Sequence, residues 1–520
     1  MSRGSTRRRF LQSALTGGAA LSGSSLPFLG NLPLLSADST RLPDGVVALR
    51  PEIEPLVRFL EVTPREDLLE KVAQRLGAGL SYRELLAALF LAGVRNVQPR
   101  PYVGFKFHAV LVVNAAHLAS LSSPPADRWL PIFWALDYFK SAQATDIKEG
   151  NWTMVPVKES RVPSATRARD AFRQAMESWD VEAADAAIAG LVRTAGANEI
   201  FELFFRYGAR DYRSIGHKAI FVAASMRTLE TIGWQHAEPV LRSLAYALLN
   251  HDGPNPAQSD APADRPWRRH LEMVNKIPAA WRSGKASAAT SKLAMSEFLE
   301  VLRHGTEDAP ADSVVDLLGR GIGPRPIWDA LLMSAGELLM RSPGIVSLHA
   351  VTTTNALHQA YLRSGDDVTR RLLLLQNAAF LPLFRATLRG REATIADIHL
   401  DEFGQGDDSA PAAGAGAALP SLDEIFHDVG EDPAQAAAKT LRYLQNGGSA
   451  RSFMDTARVL IFRKGFDSHD YKFSSAVLED YAHISPAWRD RYLAASVFRL
   501  RGSTERENPL VARVRQAFAG

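Results

Sequence analysis

Thirteen histidines and no cysteine set the range of chemistry open to this chain of 520 residues. Without cysteine there is no disulfide, thiolate zinc site, Cys-ligated iron–sulfur cluster, c-type haem attachment or Cys nucleophile. A metal would have to sit on His, Asp, Glu or a modified side chain. The GxxxxGK[ST] phosphate loop, the HExxH zinc helix and a GxGxxG turn after a strand are all absent. Gly319-Arg320-Gly321-Ile322-Gly323 reads as a connection between helices rather than a nucleotide site.

Four histidines share a context. His108 precedes Leu111, Val112 and Ala115; His217 precedes Ile220, Phe221 and Ala224. His349 precedes Thr352, Thr353 and Ala356; His469 precedes Lys472, Phe473 and Ala476. These i+3, i+4 and i+7 neighbours point each imidazole along a buried helical stripe. The alanine at i+7 recurs after His304 and His427, so it is weak support by itself. A buried neutral histidine needs partners for both nitrogens. Each of the four, taken singly, reads as a core residue bonded to a backbone carbonyl; the four together read as metal ligands, since neutral imidazole suits Fe, Cu, Zn and Ni. His251, His270, His304, His399 and His427 read as solvated. His117, His236, His358 and His483 fit either surface or core.

His469 and Lys472 lie i, i+3 on one face that continues to Ala476 and Glu479. On the inner side of a core helix, desolvation would lower the lysine pKa. A neutral amine can take up carbon dioxide and become an anionic oxygen ligand. The alternative is a lysine that snorkels outward or pairs with Asp470 or Glu479. Asp211, Trp234, Gln235, His236 and Tyr471 stand close in sequence to these ligands and are candidate supporting groups, although packing or capping accounts for each more simply.

The elements that would position them are helices. Apolar residues recur at i, i+3, i+4 through 66–76, 82–92, 127–139, 165–179 and 199–207. The same period runs through 217–232, 237–249, 328–340, 346–361, 368–384 and 487–500. Ser81, Gly93, Gly208, Gly233, Pro343 and Gly365 are read as caps and breakers. Period-2 strands are nearly absent, which predicts an all-α array of roughly eighteen to twenty helices behind a disordered N-terminal signal. Residues 38–403 form the expected catalytic domain, 404–420 a low-complexity linker, and 421–520 C-terminal helices that complete the same site. The stretch 251–264 reads as a loop.

The net charge of +3 and pI near 9.0 suggest nucleic acid only until the charge is located. Residues 1–37 hold Arg3, Arg7, Arg8 and Arg9 and no acid, so the remaining body carries −1. The opening Thr6-Arg7-Arg8-Arg9-Phe10-Leu11 resembles a bacterial twin-arginine export signal. A Gly/Ala-rich stretch follows, with a plausible cleavage site at Leu35-Ser36-Ala37. The expected partner is the twin-arginine export machinery, and the expected location is the periplasm, or a membrane anchor if the signal stays attached. No later run of 18 apolar residues predicts an integral membrane domain. Nucleic acid is not an expected partner.

The histidine segments also resemble the questin oxidase-like family, all-helical oxygenases. Phe107-His108-Ala109-Val110 through Ala115 is similar to its early NHGPMAAEAL-type helix. Gly216-His217-Lys218-Ala219-Ile220 through Leu229 is similar to its THGLIRTAHAVRAL-type helix. Leu348-His349-Ala350-Val351-Thr352 through Leu357 is similar to its HAVTAPAALR-type helix, and His469-Asp470-Tyr471-Lys472 to its late HxxK helix. The resemblance implies Fe(II) held by His108, His217, His349 and His469, with a carboxylated Lys472 as the anionic ligand. It implies a small-molecule substrate, aromatic, polyketide-like or a ketone, attacked with dioxygen by ring cleavage or oxygen insertion. Phe107 replaces the family's Asn, and the export signal and the 404–420 insertion are further departures, which bear on the substrate more than on the helical core. NAD(P)H use gains no support from a dinucleotide fingerprint. Two other readings remain open: a non-catalytic helical scaffold or binding protein of the cell envelope, and a metallohydrolase using the same cluster.

Overall fold

The computed structural model describes residues 42–99, 105–250, 253–284, 286–394, 396–405 and 419–519. The expected export signal and most of the expected 404–420 linker lie outside them. The described residues contain 23 α-helices and no strand. That is an all-α fold with somewhat more helices than the periodicity gives. The excess comes from short pieces: His108–Leu111 is a single turn, separated at Val112 from Val113–Ser122. The helix expected over 487–500 is shorter, Arg489–Ala495, and passes into a 3-10 turn at Ser496–Phe498 without adding to the count.

Long segments follow the periodicity closely. Helices His217–Ile232 and Ala237–Leu249 keep the expected bounds. Pro324–Arg341 starts four residues before the expected 328, because Pro324 and Pro326 fit a first turn whose N–H groups are unpaired anyway. Ser81 does cap the helix Tyr82–Asn96, sharing a capping box with Glu84. Gly208 ends the helix Ala197–Gly208 as a breaker should, whereas Gly93 lies inside Tyr82–Asn96 instead. A Cβ on Gly93 would come within 2.9 Å of Val110 Cγ2, so this glycine lets the His108 segment lie close. No described helix is long and apolar enough to cross a membrane.

The helix Ile345–Arg363 is the hub. It packs against Pro324–Arg341, Asp367–Gly390, His217–Ile232 and Ser468–Asp480. Residues from Val346 to His358 are buried all round, as expected of a helix with no solvent face. Small side chains such as Ala350, Thr352, Thr353 and Ala356 let its neighbours approach. The tightest approach is at Gly216, where a Cβ would lie 1.9 Å from Thr353 Oγ1 and φ is +82°. Only glycine meets both demands. Because Gly216 directly precedes His217, this contact sets the register of two histidine helices.

The loop reading of 251–264 holds for its described part. Asp264, at its end, is fully buried and takes a 2.8 Å hydrogen bond from Arg213 Nε. Gly319–Gly323 is a connection, joining Ala309–Gly319 to Pro324–Arg341.

Candidate metal centre

His108 and His217 begin their helices, His349 lies one turn into the hub helix, and His469 is the second residue of Ser468–Asp480. The four rings meet at one point. One ligand nitrogen from each lies within 4.8 Å of all the others. His217 Nε2 is 3.2 Å from His108 Nε2 and 3.0 Å from His349 Nε2. Two nitrogens bound to one ion at about 2.1 Å stand about 3.0 Å apart at a right angle and about 3.4 Å apart at a tetrahedral one. The observed spacings are those of adjacent ligands.

The other face of each ring fixes its tautomer. Nδ1–H of His108 donates to Phe105 O at 2.8 Å, and that of His217 to Ser214 O at 2.6 Å. His349 Nδ1–H donates to Ile345 O at 2.6 Å, and His469 Nδ1–H to Asp467 Oδ1 at 2.6 Å. Each Nε2 therefore presents a bare lone pair to the common point. Outer partners of this kind are how proteins orient imidazole ligands. Phe105 and Ser214 have φ of +43° and +59°, and Ile215 has +44°. Two of the accepting carbonyls thus sit on strained backbone, as expected where geometry serves a site.

Lys472 faces the same point. Its Nζ lies 3.0 Å from His108 Nε2, 3.4 Å from His217 Nε2 and 3.5 Å from His349 Nε2. It neither snorkels nor pairs with Asp470 or Glu479: Asp470 binds Arg501 at 2.7 Å, and Glu479 binds Arg227 at 2.6 Å. Burial lowers the Lys472 pKa to about 7, with the Asp467 charge pulling back only part of the shift. Burial likewise pushes His108, His217 and His349 well below the ordinary histidine value, reinforced by the neighbouring rings and Lys472. Burial raises the Asp467 carboxyl, but hydrogen bonds from the His469 ring and backbone outweigh it and hold it low. Four converging lone pairs, three of them on buried rings, with one lysine amine to donate to them, fit a cation.

A pH dependence follows. An unfolded chain keeps Lys472 charged up to about pH 10, whereas the folded chain releases its proton near 7. Between these values the unfolded state binds more protons, so stability rises with pH; below about 7 the buried cation costs its full amount. In metal-free protein, the parent gains stability relative to Lys472→Met as pH rises from about 7 to about 10. Paired denaturant titrations check this, and a difference that is flat across the window contradicts it.

A cavity of about 990 Å³ adjoins the cluster, its walls including Tyr138, Tyr212, Ile215 and Phe466. The size suits an organic ligand of several rings. Phe466 is 50% exposed and stands at the mouth.

The candidate supporting groups fare differently. Asp211 is buried, accepts from the Arg213 backbone N–H at 3.2 Å and binds Lys218 Nζ at 2.8 Å. It braces the turn that presents Ser214 O to His217 without touching the cluster. His236 is misplaced by sequence proximity, because the helix His217–Ile232 carries the chain about 24 Å away from His217 first. Trp234 packs on Phe201, and Gln235 donates to Ile232 O. Tyr471 adjoins Lys472 in sequence but is rotated about 100° from it. Its ring lies between Trp134, 4.1 Å away, and Phe462, 4.8 Å away.

Sequence reasoning missed Asp467, although an Asp three residues ahead of Asp470 at a helix start is a capping pattern, and the box is present. It also placed His270 in solvent. His270 is buried and bonded through Nδ1 to Gln376 Oε1 at 2.5 Å. No protein-family model, curated protein or solved structure matches the chain.

Proposed function

We propose that this chain is a metal-dependent oxygenase, with a single ion, preferably Fe(II), held by His108, His217, His349 and His469. The observation that carries the reading is the convergence of four bare Nε2 atoms beside a cavity of organic-ligand size. The scaffold reading gives no reason for four separate core histidines to meet. Neutral imidazole also suits zinc, so the preference for iron draws on the family resemblance. Lys472 would supply a further ligand, an anionic oxygen, if its amine took up carbon dioxide and released a proton.

Such an ion, when bound, would activate dioxygen. The chain's own groups do the rest. The Phe105, Ser214 and Ile345 carbonyls and the Asp467 carboxylate hold the imidazoles in one tautomer. The walls of the cavity exclude water and position a flat, electron-rich substrate over the cluster, so that encounter geometry is set before reaction. Ring cleavage that places both atoms of dioxygen in the product balances without an added reductant, whereas insertion of one atom requires a two-electron donor. The N-terminal segment would send the folded, loaded protein to the periplasm.

The test is oxygen uptake by iron-loaded protein with electron-rich aromatic substrates, using labelled dioxygen. Label in the product supports the oxygenase. Turnover with zinc and with no oxygen uptake would assign the cluster to hydrolysis instead.

A further inference from the structure

Three helices carry more than their histidines. Ten residues after His217, His349 and His469 stand Arg227, Gln359 and Glu479. Ten helical residues span about 15 Å, and at that distance the three side chains meet again. Arg227 Nη2 lies 2.6 Å from Glu479 Oε2, and Gln359 Nε2 lies 3.1 Å from Glu479 Oε1. A polar clasp thus closes the bundle on the side of the cluster away from the large cavity.

Between cluster and clasp lies a layer of small residues. Ala224, Ala356 and Ala476, each seven residues after its histidine, help line a separate compartment of about 40 Å³. The recurring alanine gains a spatial meaning here, because larger side chains would fill this space. The compartment is not apolar. Thr352, Asn355, Asn114 and Lys472 also line it. Thr352 is only 4% exposed, and its Oγ1 is buried without a hydrogen-bond partner. Asn355 Nδ2 donates to Asp480 Oδ1 at 2.8 Å and to Glu479 Oε2 at 3.0 Å, linking the compartment to the clasp.

We propose that this compartment is a dedicated water site behind the metal centre. One or two ordered water molecules bridge Thr352 Oγ1 to Lys472 Nζ. The volume admits water and no organic ligand, and a polar cavity of this kind is hydrated where an apolar one stays dry. The unpartnered threonine hydroxyl supplies the hydrogen-bonding demand that holds the water. The centre then has two sides: a large cavity for the organic molecule and a small polar one wetted from behind.

The experiment is a crystal structure of the full chain with solvent refined, beside Thr352→Val, which keeps the side-chain shape and deletes the hydroxyl. The expected result is ordered water within hydrogen-bonding distance of both Thr352 Oγ1 and Lys472 Nζ in the parent. In T352V that water is lost, while the four imidazoles stay in place and the metal content is unchanged. A dry compartment in the parent overturns the proposal by itself, whether or not the variant folds, and so does water retained unchanged in T352V. The site rests on geometry and not on the oxygenase reading. Failure of oxygen uptake would leave the water in place, and a dry compartment would leave oxygen uptake in place.

Discussion

His349→Ala and His469→Ala are each expected to lose the metal that the parent, purified from iron-supplied cells, is proposed to carry at about one equivalent per chain. The two positions come from distant parts of the chain, yet both rings contribute to a cluster only 4.8 Å across. Deleting either imidazole removes one nitrogen ligand and opens a gap that water fills without supplying an equivalent donor. His349→Ala acts in the hub helix, and His469→Ala acts beside the Asp467 cap. Loss in both therefore reports the shared site rather than a local defect. Asp467→Asn is the milder companion: it keeps the ligand but weakens the bond that orients it, for about 10–100-fold in metal affinity. Metal analysis by atomic emission, with helicity checked by circular dichroism, decides the matter. Full occupancy in both alanine variants ends the metal reading.

Lys218→Met destabilises the chain by about 3–5 kcal/mol. Lys218 and Asp211 are both completely buried and joined by two contacts of 2.8 Å. Burial lowers the lysine pKa to about 8 even so, which shows how little water reaches the pair. Removing the lysine strands an ionised carboxylate, and that uncompensated charge is the source of the loss. Asp211→Asn combined with Lys218→Met removes both charges and recovers most of the stability, since a buried pair is worth little against a neutral replacement. Denaturant midpoints for the single and double variants provide the measurement. A single variant within 1 kcal/mol of the parent would refute the argument. Because the pair braces the turn before His217, weakened metal binding should accompany the single variant.

The helical fold and the four histidines were legible because both rest on local periodicity. An apolar stripe with a histidine at its head reads the same in sequence and in space. The convergence itself was not legible, since nothing local says that residues 108 and 469 meet. The carbonyls of Phe105, Ser214 and Ile345 were invisible for another reason: every residue has one, and strained turns aim the first two at their imidazoles, while Ile345 O is the helix carbonyl four residues before His349. Asp211 reached the right neighbourhood through a turn, whereas His236 failed because a straight helix intervenes. Tyr471 failed through rotation rather than distance. Gly93 shows the reverse error, in which a residue that usually ends helices is kept inside one by the need for close packing. His270 misled because its surroundings are polar in sequence, while the Gln376 that receives it lies on a distant helix.

Lys472 and His108 touch across 364 residues of chain. During synthesis, a growing polypeptide has made nearly all of itself before the last two participants emerge. Closing so long a loop is entropically slow, although each further residue adds little to the cost. The centre therefore cannot form before the chain extends past Lys472, and a chain cut short of His469 lacks part of the cluster. For the proposed metal centre, occupancy would be a certificate of completion, which the proposed export route for finished proteins would be well suited to read.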